Sequence, residues 1–286
     1  MAESSLKCEC KDWETLEYQT GFDSTFSTES LKGALPKGQN NPRICPYGLY
    51  AEQLSGSAFT CPRSTNYRTW LYRKLPCVHH DTPLTSDKKK IPNHFSDWNS
   101  VPADPAQKRW APFKIPEKPI TFLQGLHSIA GAGSARERHG MQIYIYSCNT
   151  SMINEAFYNS DGEMLIVAQM GSLRIITEMG RIHVRPDEIV VIPQGVRFLV
   201  EVDGPSRGYI CELMGARYVL PNLGPIGANG LASVRDFEYP VAWFDAEGDD
   251  KEFQVVTKYQ NEIFSHKQNH TPFDVVAWWG NFAPYS

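Results

Sequence analysis

The sequence has no hydrophobic run of membrane-spanning length. Its longest aliphatic runs, such as Ile189-Val190-Val191-Ile192, have the length of a strand. The first 15 residues contain no apolar segment of the kind that directs secretion. We therefore expect no membrane association and no secretory route, and we predict a cytoplasmic protein.

Clustered positive charge is also scarce. The formal net charge is -4, and the basic cluster Lys88-Lys89-Lys90 lacks flanking arginine and aromatic residues. Nucleic-acid-binding surfaces use such residues to hold phosphates and bases. A nucleic-acid partner is therefore not expected.

The cysteines suggest neither a disulfide framework nor a zinc site. There are seven, an odd number, and they are scattered along the chain. Cys8 and Cys10 form a single C-x-C pair without the second pair that zinc requires. We expect reduced thiols.

Proline is concentrated in the first 120 residues, where long helices are therefore not expected. Twelve of the 20 prolines lie in the first 120 residues, and each removes a backbone donor and restricts the residue before it. We predict that residues 1–120 form a Pro-rich, largely irregular region packed against a domain formed by residues 121–286.

From residue 141 onward, short runs of β-branched and aromatic residues alternate with glycine, proline and aspartate turns. The predicted strands are Gln142–Cys148, Met164–Gln169, Ser172–Glu178, Arg181–Val184, Glu188–Ile192, Arg197–Val202 and Arg207–Leu213. Many short strands are accommodated best by a closed double sheet, which removes open edges. The predicted fold is therefore mainly β, a cupin or jelly-roll barrel after the Pro-rich region.

Iron-binding cupin barrels use inward-facing imidazoles and a carboxylate. In the usual pattern, a glycine is followed after five residues by His-x-His; counted from Gly162, those positions hold Ala168 and Met170. The companion pattern Pro-x-Gly-x-x-His aligns with residues 193–198 and ends in Phe198. These side chains cannot ligate iron(II), so we predict a metal-free barrel.

The histidines do not supply an alternative ligand set. His79-His80 lies between prolines, His127 and His139 flank a Gly-rich loop, and His183 lies on a predicted strand. His266 and His270 are four residues apart, which would place both on one face of a helix. No acidic third ligand is evident near that pair.

A loop rich in glycine and proline covers residues 220–232. Its three glycines and two prolines specify a backbone path that an ordinary strand connection does not need. No Gly-Lys-Ser/Thr ends it, so it is not a phosphate-binding loop. The loop either serves a site or is a structural Ω-type loop.

Several long segments together resemble homogentisate 1,2-dioxygenase. They are Gly38-Gln39-Asn40-Asn41-Pro42, Leu49 to Thr60, Asn149-Thr150-Ser151-Met152, Phe157 to Gly162, the loop 220–232, Val275-Val276-Ala277-Trp278, and Pro284-Tyr285. The resemblance covers nearly the whole chain after about residue 30.

The resemblance implies a non-haem iron(II) enzyme that opens the ring of homogentisate with O2 to give maleylacetoacetate, in tyrosine and phenylalanine catabolism. It implies a hexamer built from two trimers, with this chain as the first β-sandwich. The two His and one Glu that hold iron in the family come later in its sequence, so no catalytic or metal residue is carried over. We expect this chain alone to be inactive.

One residue departs from the family pattern. The family's general base is a His in an Ala-Trp-His-Gly-Asn motif, and Trp279 occupies that position here. An indole has an N–H donor but no proton-accepting nitrogen, so it cannot act as a base.

Three hypotheses remain open. The chain is an N-terminal portion of a homogentisate dioxygenase, a catalytically dead short paralogue that acts as an assembly or binding module, or a small-molecule-binding barrel. The first predicts that residues 281–286 are unpaired and expose apolar surface, whereas the second predicts that they are accommodated. Substrate-binding residues are not assigned: polar residues in the matched segments are expected to serve packing or subunit contacts, and Asn229 to shape its loop. The polar residues are Gln39, Asn40, Asn41, Tyr50, Glu52 and Gln53.

Overall fold

The computed structural model describes residues 13–22, 24–37, 45–219, 233–248 and 250–286. In these ranges the helical elements are single 3-10 turns, so no described helix is long and apolar enough to cross a membrane. The turns are Trp13–Thr15, Pro46–Gly48, Arg63–Thr65, Trp98–Ser100 and Val234–Asp236.

Eighteen strands make up most of the regular structure in these ranges. In chain order they are β1 (Tyr18–Thr20), β2 (Phe26–Glu29), β3 (Tyr50–Ser55), β4 (Arg68–Arg73), β5 (Thr85–Ser86), β6 (Leu126–Ser134), β7 (His139–Cys148), β8 (Glu155–Asn159), β9 (Gly162–Met170), β10 (Leu173–Thr177), β11 (Gly180–Val184), β12 (Ile189–Ile192), β13 (Phe198–Glu201), β14 (Ser206–Met214), β15 (Glu238–Pro240), β16 (Phe253–Tyr259), β17 (Glu262–Gln268) and β18 (Val275–Gly280).

Two larger sheets form a sandwich. A five-stranded antiparallel sheet has the order β12-β9-β14-β7-β6, and a seven-stranded sheet has the order β11-β10-β13-β8-β16-β17-β5. In the second sheet, β8 and β16 run parallel. Ile166 and Ile210 from one sheet and Ile175 and Val255 from the other are fully buried in a common core. The predicted mainly β, double-sheet fold is confirmed.

A smaller four-stranded sheet, with the order β2-β18-β4-β3, packs on the sandwich. Its residues alternate between two faces. Leu71 and Trp278 join the core of the sandwich, whereas Tyr72 and Ala277 join a second apolar cluster on the other face. A two-stranded pair, β1 with β15, completes the described sheets.

The seven predicted strands are confirmed with small shifts at their ends, as β7 and β9 to β14. Runs of β-branched and aromatic residues between turn residues predicted them, and β10 and β14 also alternate buried with more exposed positions. The helix suggested for His266 and His270 is wrong, because His266 lies on β17 and His270 follows its end. His127 and His139 likewise lie on β6 and β7, which are joined as a hairpin.

The Pro-rich region has little regular structure, as predicted, although β2, β3 and β4 pair within it or with β18. These pairings cross the predicted division at residue 120, which stays a prediction.

Residues 281–286 are not left unpaired: Tyr285 pairs with Val191, and Ser286 exchanges hydrogen bonds with Glu238. Phe282 is also buried. The unpaired, exposed segment expected under the first hypothesis is therefore wrong, and the structure shows the accommodated segment expected under the second.

Candidate functional site

Trp279 lies on the face of the four-stranded sheet that points away from the sandwich core. On β18 it is opposite Ser27 of β2 and Trp70 of β4, and Trp70 is opposite Gln53 of β3. Directly opposed residues share a sheet face, so these four side chains form one row. The row combines two indoles with polar groups at each end.

The Trp279 indole is fixed by a hydrogen bond and by packing. Its Nε1 donates to the Tyr72 hydroxyl at 2.8 Å, and its ring packs on the cluster that contains Phe244, Val276 and Ala277. Burial raises the pKa of Tyr72, although the hydrogen bond from Trp279 opposes this shift. Tyr72 is therefore neutral near pH 7, and neither group is an available base.

Trp278, one residue earlier, points to the opposite face. It is fully buried, and its Nε1 donates to the Met179 carbonyl oxygen at 2.7 Å. This contact attaches the four-stranded sheet to the turn between β10 and β11. Because successive side chains of a strand point to opposite faces, the Trp278 indole packs in the sandwich core and the Trp279 indole faces the second apolar cluster.

Arg73, at the end of β4, holds three parts of the chain together. Its Nη2 donates to Asp274 Oδ1 at 2.8 Å, and its Nη1 donates to Glu52 at 2.9 Å and to Glu178 at 3.1 Å. Burial disfavours the charge, but the three carboxylates outweigh it and raise the Arg73 pKa. Glu52 also accepts from the Cys77 backbone. Glu52 therefore has partners within the chain, and its expected role in packing or subunit contacts stays a prediction.

The other polar residues singled out in the sequence are not assembled into one site in the described ranges. Tyr50 and Gln53 are exposed on β3. Gln39, Asn40, Asn41, Asn229 and the loop 220–232 lie outside the described residues.

The sandwich interior is apolar where an iron-binding cupin would have ligands. Ala168 and Phe198 are fully buried, and the Phe198 ring makes edge contacts with Phe157 and Phe122, at centroid distances of 5.6 and 6.3 Å. Hydrocarbon side chains offer no lone pair to iron. Across the described ranges, no group of three or more His, Cys, Asp or Glu residues is arranged to hold a metal. These residues therefore do not fit an iron(II) centre.

The fold brings four histidines into two pairs that spacing did not predict. The ring centroids of His80 and His266 are 4.7 Å apart, and those of His79 and His270 are 5.4 Å apart. The His80 Nδ1 lies 2.7 Å from the Thr82 carbonyl oxygen, which only accepts, so that nitrogen carries the proton. Burial, followed by the nearby His80 and Arg197, lowers the His266 pKa to about 4.

A buried ion cluster joins the two sheets of the sandwich. Lys258 on β16 donates to Asp161 Oδ2 and to Glu212 Oε1, both at 2.7 Å. Glu212 on β14 also accepts from Asn159 Nδ2 and from the Tyr144 hydroxyl, each at 2.9 Å. Burial and the Glu212 carboxylate hold the Tyr144 pKa well above its usual value. The cluster is closed by its own partners, which indicates a structural role.

Asp161 also stabilises the turn between β16 and β17. Gln260 and Asn261 both have positive φ, 48° and 62°, as a two-residue type I′ turn requires. Their backbone N–H groups donate to the Asp161 carboxylate at 2.6 and 2.8 Å.

The sequence signal for the Lys258 cluster was a charged residue, Glu212, at an inward position of an apolar strand.

Comparison with known proteins identifies the relatives of this chain. A family model described as homogentisate 1,2-dioxygenase N-terminal matches residues 17–286. Homogentisate 1,2-dioxygenase of Drosophila melanogaster is 58% identical over 275 residues, which cover 94% of this chain and 62% of the relative. The human enzyme is 51% identical over 275 residues, covering 94% of this chain and 61% of the relative. The chain thus spans about three fifths of the length of these curated relatives.

Structural comparison is less informative. A cupin superfamily protein from Desulfitobacterium hafniense is 19% identical, with a TM-score of 0.29, and the match covers 38% of this chain and 93% of that one. A cupin-2 domain protein from Shewanella frigidimarina is 18% identical, with a TM-score of 0.27, and the match covers 32% and 80%. Similarity at this level is too low to assign a role to this chain.

Proposed function

Because the chain belongs to the homogentisate 1,2-dioxygenase family, we propose that it is the N-terminal β portion of an enzyme that cleaves the ring of homogentisate with O2. The product is maleylacetoacetate, in the catabolism of tyrosine and phenylalanine in the cytoplasm. The observation that carries the proposal is 58% identity over 94% of this chain. The family model, an N-terminal one that runs to residue 286, supports it.

In this proposal the iron(II) ligands lie outside the chain. Iron supplies coordination sites for the substrate and for O2 when it is bound. The described residues instead give the sandwich an apolar interior around Phe198 and two buried charge clusters, centred on Arg73 and Lys258. They form a rigid support, and the chain alone is inactive. By the family resemblance, it works within a homo-oligomer of trimers or hexamers.

Trp279 stands where the family has its general base. The indole N–H already donates to Tyr72, so this position accepts no proton from a substrate hydroxyl. Loss of general-base help typically lowers a rate by about 10² to 10⁴. An enzyme that contains this chain therefore turns over slowly unless another group takes the proton.

The test compares the 286-residue chain with the same chain joined to the segment of the Drosophila relative that follows its matched residues. Both are reconstituted anaerobically with iron(II), and iron content and homogentisate-dependent O2 uptake are measured. The joined polypeptide is expected to bind one iron and to react slowly. Stoichiometric iron and uptake in the 286-residue chain alone would overturn the proposal, as would a folded joined polypeptide that binds no iron.

The Trp279→His variant of the joined polypeptide tests the base position. We expect kcat to rise by about 10² or more, whereas Trp279→Phe, which cannot accept a proton either, gives no rise. Equal effects of the two substitutions would show that position 279 does not serve as the base.

The alternative, a catalytically dead assembly module, is not favoured by the comparisons but rests on the packed, hydrogen-bonded Trp279. It predicts that the 286-residue chain enters oligomers of the full-length Drosophila relative when the two are expressed together. Sedimentation velocity with one fluorescent partner measures this. Separate sedimentation of the two chains would eliminate the module hypothesis.

A further inference from the structure

The outer surface of the five-stranded sheet is apolar where a solvent-facing sheet is usually polar. Two cross-strand rows cover it. One row is Ile145, Tyr209, Val167 and Ile189, and the other is Ile143, Cys211, Leu165 and Val191; within each row, neighbours are directly opposite. We call these eight residues the outer face.

The opposite surface of the same strands is also apolar. Tyr144, Ile166, Ile210 and Val190 alternate with the outer-face residues and are buried in the sandwich core. An antiparallel sheet with one wet side alternates apolar with polar residues, whereas a sheet covered on both sides has nearly continuous apolar strands. The apolar residues on both faces of these strands are therefore typical of a sheet that is covered on both sides.

The residues that the structure describes cover this layer only in part. Ile189 is 49% exposed and Tyr209 is 36% exposed. Beyond the end of the outer face nearest β12, the rings of Phe22, Phe237 and Tyr285 make edge-to-face contacts with one another. Ile189 and Leu165 line a cavity of ≈ 580 Å³ there, with Phe22, Phe237, Tyr285 and Ser286 in its wall.

At the other end, residues 110–113 lie beside the sheet. Trp110 and Phe113 line a second cavity, of ≈ 440 Å³, whose floor includes Ile145, Tyr209 and Val167. Arg207 Nη1 donates to the Phe113 carbonyl oxygen at 2.8 Å and fixes that segment. The row from Ile145 to Ile189 therefore connects the two cavities as one apolar trough.

Charged groups stand at the ends of this trough, where Asp187, Asp236 and Glu238 line the first cavity. Arg207 Nε donates to Gln169 at 2.9 Å, and Arg185 contacts Glu14 and Glu188. The floor itself offers no charge to a polar ligand or to nucleic acid. Its chemistry fits another apolar protein layer with a polar rim.

We propose that the outer face is the docking surface for the polypeptide that follows the matched portion in the full-length relatives. This inference rests on the proposed function, in which the chain acts as the N-terminal portion of a longer enzyme. The Drosophila relative has 38% of its length outside the match, which is enough for a further domain. Residue 286 lies beside the trough, because Tyr285 pairs with Val191 at the edge of the sheet and Ser286 lines its first cavity.

The geometry also explains why a following segment reaches this surface first. Tyr285 extends the second row of the outer face by one strand position, next to Val191. Polypeptide that continues from residue 286 begins at the edge of the outer face, beside the buried Val191 and on the side of β12, which carries the exposed Ile189.

Thiol labelling tests the docking directly. Tyr209→Cys places a probe in the trough, and Lys88→Cys is the matched control, since the Lys88 side chain is 71% exposed and follows β5 of the other large sheet. Maleimide labelling rates are read by peptide mass spectrometry in the 286-residue chain and in the joined polypeptide. We expect joining to slow labelling at position 209 at least tenfold and to leave position 88 unchanged.

Native cysteines give the same readout without substitution, in case a variant fails to fold. Cys211 lies in the outer face, and Cys61 lies outside it, in the loop between β3 and β4. Joining is expected to protect Cys211 but not Cys61. Neither measurement depends on iron or turnover, so failure of docking is distinguished from failure of the proposed activity.

Two results would overturn the proposal. One is equal labelling of positions 209 and 211 in the two proteins while the controls are also equal. The other is slow labelling in the 286-residue chain that speeds up on dilution, together with a dimer in sedimentation, which would show that a second copy covers the outer face.

Discussion

The Lys258 cluster makes the strongest stability prediction. Lys258→Met keeps an unbranched side chain that is one atom shorter, but it removes the ammonium that joins Asp161 on one side and Glu212 on the other. Both carboxylates and the ammonium are nearly inaccessible to water. Removal of one partner from a buried ion pair typically costs about 3–5 kcal/mol, because the remaining charge is left without compensation.

Urea unfolding followed by circular dichroism measures this loss. A chain of this size has an m value of about 3 kcal/mol/M, at the upper end of the range for small proteins. The midpoint is therefore expected to fall by about 1–1.7 M. Lys267→Met is the control: Lys267 pairs with Glu252 on the surface, and an exposed pair contributes about 1 kcal/mol or less.

A double variant separates the loss of charge balance from the loss of packing. Lys258→Met with Glu212→Gln removes one charge of each sign and leaves Asp161 with the backbone N–H groups of Gln260 and Asn261. We expect it to recover about 1 kcal/mol or more of the loss. The reasoning is refuted if Lys258→Met is no more destabilising than Lys267→Met.

Three further predictions concern other buried groups. Burial, and then the neighbouring His80, lowers the His266 pKa from 6.5 to about 4. As pH falls, the unfolded chain therefore binds a proton at this histidine before the folded chain does. After allowance for solvent screening, the free energy of unfolding should fall by about 1–2 kcal/mol as pH drops from 6.5 towards 4. His266→Phe should remove that part of the pH dependence in urea titrations at pH 7 and pH 5. Arg73→Met should cost about 3–5 kcal/mol, since three carboxylates lose their shared cation, and a thermal midpoint unchanged from the parent would contradict this. Trp279→Phe should cost about 1 kcal/mol through loss of the hydrogen bond to Tyr72, and a larger loss in calorimetry would show that packing dominates.

The sequence predicted the strands that are marked by β-branched and aromatic runs between turn residues. Strands β7 and β9 to β14 are of this kind, and β10 also alternates buried with half-buried positions. It missed β8, β16 and β18, whose burial is nearly continuous, because a buried run without a period cannot be assigned to a strand by periodicity. The resemblance supplied the family for these segments, but it did not indicate which strands pair.

Residue identity alone determined what several positions cannot do. Ala168 and Phe198 cannot ligate iron, and the Trp279 indole cannot accept a proton, wherever the fold places them. Only the tertiary structure decided which groups meet. Lys258 reaches Asp161 across 97 residues of sequence, and Arg73 reaches Asp274 across 201. Local patterns report the burial of a residue but not its partner, because long-range contacts depend on how the sheets pack. That packing also leaves the outer face only partly covered by the described residues.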